Sequence, residues 1–155
     1  MITIEKYKPE YQRYFEAFNK AWLEKYFVVE AIDEYVLTHP EEAILNDGGQ
    51  ILFAVYQNEV IGTVALRKVA DGVMEFTKMA VDEKYQGLGA GKLLCEAAIT
   101  LARDLKLQKL VLYSQTQLET AVGIYRKYGF EHKPIDSSKY KRADVYMEME
   151  LVYES

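Results

Sequence analysis

Between the strand-like run Met79-Ala80-Val81 and a strongly helical segment stands Gln86-Gly87-Leu88-Gly89-Ala90-Gly91-Lys92, with glycine at every second position of its middle. Glycine carries no Cβ to hold a ligand away from the backbone, and the first N–H groups of a helix lack intrahelical partners, so successive amides here can converge on an anion. A diphosphate is the ligand that suits such a cradle. The dinucleotide pattern Gly-x-Gly-x-x-Gly fails, because position 92 is Lys, and the phosphate-loop pattern Gly-x-x-x-x-Gly-Lys-Ser/Thr fails as well. Lys92 and Lys84 stand where their charge could reach phosphates, although lysines beside an exposed loop are as often simply solvated.

The order Gln-x-x-Gly-x-Gly after a strand, followed further on by Tyr125-Arg126-Lys127-Tyr128-Gly129-Phe130, closely resembles the GNAT superfamily of acyl-CoA-dependent N-acyltransferases. The resemblance runs from the hairpin near Ile51 to the strand ending near Val152. It implies that Gln86, Gly87, Leu88, Gly89, Ala90, Gly91 and Lys92 surround the pyrophosphate of coenzyme A, that Met79, Ala80 and Val81 pair their backbone with pantetheine, and that acetyl-CoA is the co-substrate with no metal. Two positions depart from the family pattern. Gln86 opens the loop where Arg is commoner, and Leu118 stands three residues before Ala121 where many members place an Asn that contacts pantetheine.

Acyl transfer to an amine poses two proton problems. An amine of pKa about 10.4 must lose a proton at pH 7, at a cost of about 4.6 kcal/mol, and a thiolate of pKa about 8.5 must be accommodated as it leaves. The resemblance puts Tyr125 beside the thioester sulfur, where a phenol of pKa about 10 can donate. It also matches Glu75 to the strand glutamate that some members use as base, often through water. Period-two geometry predicts that Glu75, Thr77, Met79 and Val81 share one face of their strand. Each residue also has a plainer reading: a core aromatic for Tyr125, a solvent-facing strand carboxylate for Glu75.

The segment from Trp22 to Glu30, with Asp33 after it, combines aromatics and carboxylates where the family's first two helices cover the acceptor. Trp22, Tyr26, Glu30 and Asp33 are therefore expected to receive an amine by cation–π contact and charge pairing. Trp22 and Phe27 also suit a core, and Glu30 and Asp33 suit a helix start. Arg142, in the loop Ser137–Asp144, could fork onto an acceptor carboxylate, with plain surface charge as the alternative. His39 and His132 are too isolated to suggest a metal, and Cys95 reads as a small core residue.

These groups need elements to position them. Met1–Lys6 suits a first strand and Pro9 to about Tyr26 a first helix, with Tyr14, Phe15, Phe18, Trp22 and Leu23 at helical intervals. A short helix over Ile32–Leu37 is stopped by Pro40, and Asp47-Gly48-Gly49 marks a loop. Ile51–Tyr56, Val60–Leu66 and Val73–Val81 form three antiparallel strands, turning at Gln57-Asn58-Glu59 and Ala70-Asp71-Gly72. Leu94, Ala97, Ala98, Leu101, Ala102 and Leu105 fall on one helix face. Leu107–Tyr113 then reads as a buried strand parallel to its predecessor, Thr120–Tyr128 as a helix ended by Gly129, and Val145–Val152 as the closing strand. The sum is an α/β GNAT fold: a mixed, mostly antiparallel sheet with parallel central strands 4 and 5, flanked by helices.

At 155 residues the chain is expected to be one domain, 1–155, burying about two thirds of its unfolded surface. No basic leader and no apolar run of membrane length is seen, and the single cysteine, Cys95, suits a reducing compartment, so the expectation is cytoplasmic. A net charge of −5 argues against nucleic acid as partner and suits a cationic acceptor. A homodimer is compatible with all of this. Two functions stay open: an N-acetyltransferase acting on a primary amine of a small molecule or a protein, and an acyl-CoA-binding sensor without turnover. Tyr125 and Glu75 favour the first, Leu118 the second.

Overall fold

The computed structural model describes residues 1–115, 118–135 and 143–153. In chain order the elements are β1 (Ile2–Lys6), α1 (Gln12–Tyr26, after one 3-10 turn at Pro9–Tyr11), α2 (Ala31–Thr38), β2 (Gln50–Tyr56), β3 (Glu59–Ala70), β4 (Val73–Val81), α3 (Ala90–Asp104), β5 (Lys109–Ser114), α4 (Glu119–Lys127), β6 (Glu131–Lys133) and β7 (Val145–Glu150). One seven-stranded sheet runs β1-β2-β3-β4-β5-β7-β6. Its neighbours are antiparallel except β4 and β5, as the helical crossover between them requires.

Local chemistry explains the turns. Gln57 and Asn58 both take positive φ, 50° and 66°, which is the two-residue hairpin geometry that matches strand twist. Gly129 follows α4 at φ 110°, and the Phe130 N–H then bonds back to the Tyr125 carbonyl at 3.0 Å, seating Phe130 in the core. The sheet separates two apolar layers. Under α3 lie Leu94, Ala98 and Ala102 with Phe76, Leu112 and Phe130, and under α1 and α2 lie Phe15, Leu23 and Leu37 with Ile51, Phe53 and Ala65.

Three features differ from what the pattern predicts. After Pro40 the chain makes a further π-helical turn over Glu41–Leu45, because Ile44 inserts into the α1-side core. β6 is three exposed residues, Glu131–Lys133, too short and too polar for alternation to reveal. The third bears on function: Glu75 and Thr77 do not share a face with Met79 and Val81. Thr77 lies opposite Ala65 and Ala80 opposite Thr63, so three steps along β4 match two along β3, and Lys78 takes φ 56° within this bulge. The inserted residue reverses the alternation. Thr77 and Ala80 therefore face the α1 layer with Ala65, while Met79 and Val81 join Phe76 against the α3 layer.

Candidate active site

β4 and β5 begin as paired strands and then part. Their register holds at Val73–Lys109, Met74–Leu110 and Glu75–Val111, after which β4 continues along β3 to Val81 while β5 continues along β7 to Ser114. A cavity of about 100 Å³ opens where they part. Phe76, Thr77, Lys78 and Met79 line it from β4, and Leu112, Tyr113 and Ser114 from β5, with Gln115 just beyond. Asn19, Trp22, Leu23 and Phe27 close it from α1 and the residue after it, and Leu118, Ala121 and Tyr125 from α4.

Tyr125 stands in this wall. Its ring packs edge-on against Phe76 at 5.6 Å and Phe130 at 6.0 Å, which fixes its direction. Burial raises its phenol well above the ordinary tyrosine range, so it keeps its proton at any physiological pH. Leu118 is the first residue before α4 and gives that helix no side-chain cap, so this part of the wall is apolar. Cys95 is buried inside α3, its thiol pushed up by burial to about 12, as befits a core residue and not a nucleophile.

Glu75 is only 1% exposed and does not line the cavity; its carboxylate lies 3.8 Å from the Arg67 guanidinium on β3. Tyr113 does line the cavity. In the parallel register Glu75 matches Val111, so Tyr113, two residues on, shares its face. Burial, and then the Glu75 charge, raise the Tyr113 phenol.

The glycine loop follows β4 past a 3-10 turn at Glu83–Tyr85. Gly87 and Gly89 take φ 89° and 87°, the left-handed region closed to most side chains, and Gly89 is the uncapped start of α3. A Cβ built on Gly87, Gly89 or Gly91 meets nothing within 4 Å, so the space in front of these amides is open. Gln86 to Gly89 are exposed, Ala90 is buried, and Lys92 and Lys84 extend into solvent. Met79, Ala80 and Val81 lead from the bulge towards this loop, with the Asp82 N–H held by the Ile61 carbonyl at 2.8 Å.

The acceptor-side residues separate into two groups. Trp22 lines the cavity and packs on Phe27 at 5.4 Å and on the half-exposed Tyr26 at 5.6 Å. Glu30 and Asp33 do not line it. They form a reciprocal capping box at the start of α2, in which the Glu30 N–H donates to Asp33 Oδ2 at 2.9 Å. Asp33 is buried and its Oδ1 accepts from Lys78 Nζ at 2.7 Å. Arg142 lies outside the described residues. Asn19, Lys78 and Tyr113 are cavity residues that pattern reasoning does not single out. Only Asn19 leaves a trace in the sequence, a polar side chain interrupting the four-residue spacing of Phe15 and Leu23. Among the described residues no cluster of His, Cys, Asp and Glu could hold a metal, and no helix is long and apolar enough to cross a membrane.

An acetyltransferase of the GNAT family from Staphylococcus aureus Mu50 superposes with a TM-score of 0.87 at 21% identity, over 98% of this chain and 100% of that one. The PaiA N-acetyltransferase of Thermoplasma acidophilum, solved in complex with coenzyme A, gives 0.76 at 19% identity over 97% and 99%. A Bacillus subtilis acetyltransferase, also solved with coenzyme A, gives 0.75 at 19% over 98% and 100%. Among curated proteins, the N-acetylaspartate synthetase of Xenopus tropicalis is 29% identical over 102 residues, 65% of this chain, which spans only 35% of that protein. Residues 7–130, which carry α1, the parting strands, the glycine loop and Tyr125, match the acetyltransferase (GNAT) family model, and the chain belongs to that family.

Proposed function

We propose that this chain transfers an acetyl group from acetyl-CoA directly to a primary amine. The observation that carries the reading is the gap between β4 and β5, walled by Tyr125, on the strand whose far end leads to the exposed glycine loop. The residues present fit the co-substrate. The Gly87–Lys92 amides and the α3 dipole suit a diphosphate, and charge-assisted bonds worth about 1.5–3 kcal/mol each can anchor it. The β4 edge past Glu75 is free of β5 and offers backbone groups to an amide-bearing arm. A cavity near 100 Å³ has room for a two-carbon acyl group.

In the reaction the amine nitrogen bonds to the thioester carbon as the C–S bond breaks. Tyr125 donates its proton to the departing sulfur. The proton lost by the amine passes to Glu75 by way of the Tyr113 hydroxyl, because Glu75 does not itself line the cavity and Tyr113, on the same face, does. The Tyr125 phenol, kept protonated by burial, is suited to donate. Trp22, Phe27 and Tyr26 give the amine an aromatic approach.

The experiment is thiol release from acetyl-CoA against a panel of amines, run beside calorimetric titration with coenzyme A. The panel includes polyamines and lysine peptides, which suit the net charge, and L-aspartate, which the name of the curated relative suggests. Binding with thiol release for one amine class is the expected result. Tight binding with no release across the panel would favour an acyl-CoA-binding module, and absence of binding would remove the reading altogether.

A further inference from the structure

The bulge in β4 is held from both of its chemical ends. On the backbone side, the Lys78 carbonyl accepts from the Thr63 hydroxyl at 3.0 Å, and Thr63 Oγ1 accepts from the Asn19 amide at 3.0 Å. On the side-chain side, Lys78 Nζ meets Asp33 Oδ1 at 2.7 Å, with 4% and 0% of the two side chains exposed. Asp33 has a second task, since its Oδ2 accepts the Glu30 N–H and so closes the first turn of α2. Phe27, Val28, Val29 and Glu30, the irregular segment between α1 and α2, end at this turn, and Phe27 is part of the cavity wall.

Burying two charges is a poor route to stability, because desolvation opposes their attraction and apolar replacements are often as stable. The pair is better explained by what it joins. We infer that the Lys78–Asp33 ion pair is a positioning device that couples the donor-side bulge of β4 to the acceptor wall at the α1–α2 junction, so that filling the cleft along β4 orders the first turn of α2. The inference rests on the proposal that coenzyme A occupies that cleft. It makes Lys78 and Asp33 positioning residues, acting through the backbone of β4 and the Phe27–Glu30 segment and not on the reacting atoms.

Residue-resolved amide exchange tests it, with coenzyme A as the probe. The reporters are the backbone amides of positions 30 and 33, which lie outside the cavity lining. In the wild type, saturating coenzyme A should slow both by a factor in the usual coupling range of about 5- to 150-fold, alongside protection of Gly87–Gly91. The K78M/D33N variant removes both charges of the pair together, and the carboxamide introduced by D33N keeps an oxygen for the Glu30 N–H. There the glycine loop should still be protected while the two reporter amides respond less than about twofold, outside that coupling range. K78R, which keeps the pair, should retain the response. An unaltered response in K78M/D33N, or none in the wild type while the glycine loop is protected, overturns the coupling alone. A wild type that shows no protection at the glycine loop overturns the cleft assignment and the coupling with it.

Discussion

Replacing Gly91 by Ala should move stability and cofactor affinity in opposite directions. Gly91 is the second residue of α3, is not among the glycines at positive φ, and has nothing within 4 Å of an added Cβ. The methyl therefore costs no strain, and exchanging Gly for Ala in a helix gains roughly 0.5–1 kcal/mol. For a domain of this size that is a rise of about 1–4 °C in Tm. The same empty space is where phosphate oxygens would meet the amides, and loss of one charge-assisted bond costs about 1.5–3 kcal/mol. The Kd for coenzyme A should rise about 10- to 150-fold. Gly89→Ala is the contrast, since φ 87° makes any side chain unfavourable by roughly 1–2 kcal/mol. It should weaken binding and lower Tm together. Thermal unfolding without ligand and calorimetric titration with coenzyme A read both quantities. A Gly91→Ala protein that binds with unchanged affinity refutes the cradle, and one that melts lower refutes the helical geometry argued for position 91.

Tyr125→Phe keeps the packing on Phe76 and Phe130 and should lower kcat by about 10- to 100-fold with little change in coenzyme A affinity; an unchanged kcat removes Tyr125 as the acid. Glu75→Gln should depress kcat/KM for the amine most near neutral pH and recover as free amine accumulates, measured from about pH 6 to 10. A profile parallel to wild type would mean that Glu75 is not the proton's destination. Lys78→Met removes the 2.7 Å partner of the buried Asp33 carboxylate and should cost about 3–5 kcal/mol in urea unfolding, most of it recovered when Asp33→Asn is added. Burial raises the Cys95 thiol from 9.0 to about 12, so its contribution is complete below pH 9 and is lost as pH climbs towards 12. Cys95→Ala should therefore flatten the alkaline fall in stability by up to about 1.4 kcal/mol per pH unit, and an unaltered slope would contradict a buried neutral thiol.

What was legible in the sequence is what neighbouring residues decide among themselves. The Gly87–Gly91 spacing, the turn at Gln57-Asn58 and the stop at Gly129 are local backbone requirements, and each is met where the pattern places it. The cavity is different in kind. Asn19, Thr63 and Lys78 meet across 44 and 15 positions of chain, and Asp33 reaches Lys78 across 45, so no window of residues contains the reason for their identities. Lys78 hides best, since a lysine carries no local preference for φ 56°; the conformation is imposed by Thr63 on its carbonyl and Asp33 on its ammonium.

On the proposed function, that one residue also lets a single strand serve two substrates. Regular alternation would place Glu75 and Thr77 on the same face as Met79 and Val81. Thr77 faces the α1 layer, where Trp22 and Phe27 line the cavity. Met79 and Val81 turn to the α3 layer, whose helix begins at the glycine loop. The reversal falls three residues after the last β4–β5 pair, beside the opening of the cleft, so acceptor and donor can approach the same backbone from opposite faces. Deleting Lys78 should restore the regular ladder with β3 while Thr77 and Met79 keep the faces they already occupy, so it removes only the bulged backbone beside the cleft. Such a protein should fold with its β3–β4 hairpin intact, as backbone amide exchange would report, yet transfer no acetyl group. Retained transfer would show that the bulged backbone is not needed for the reaction.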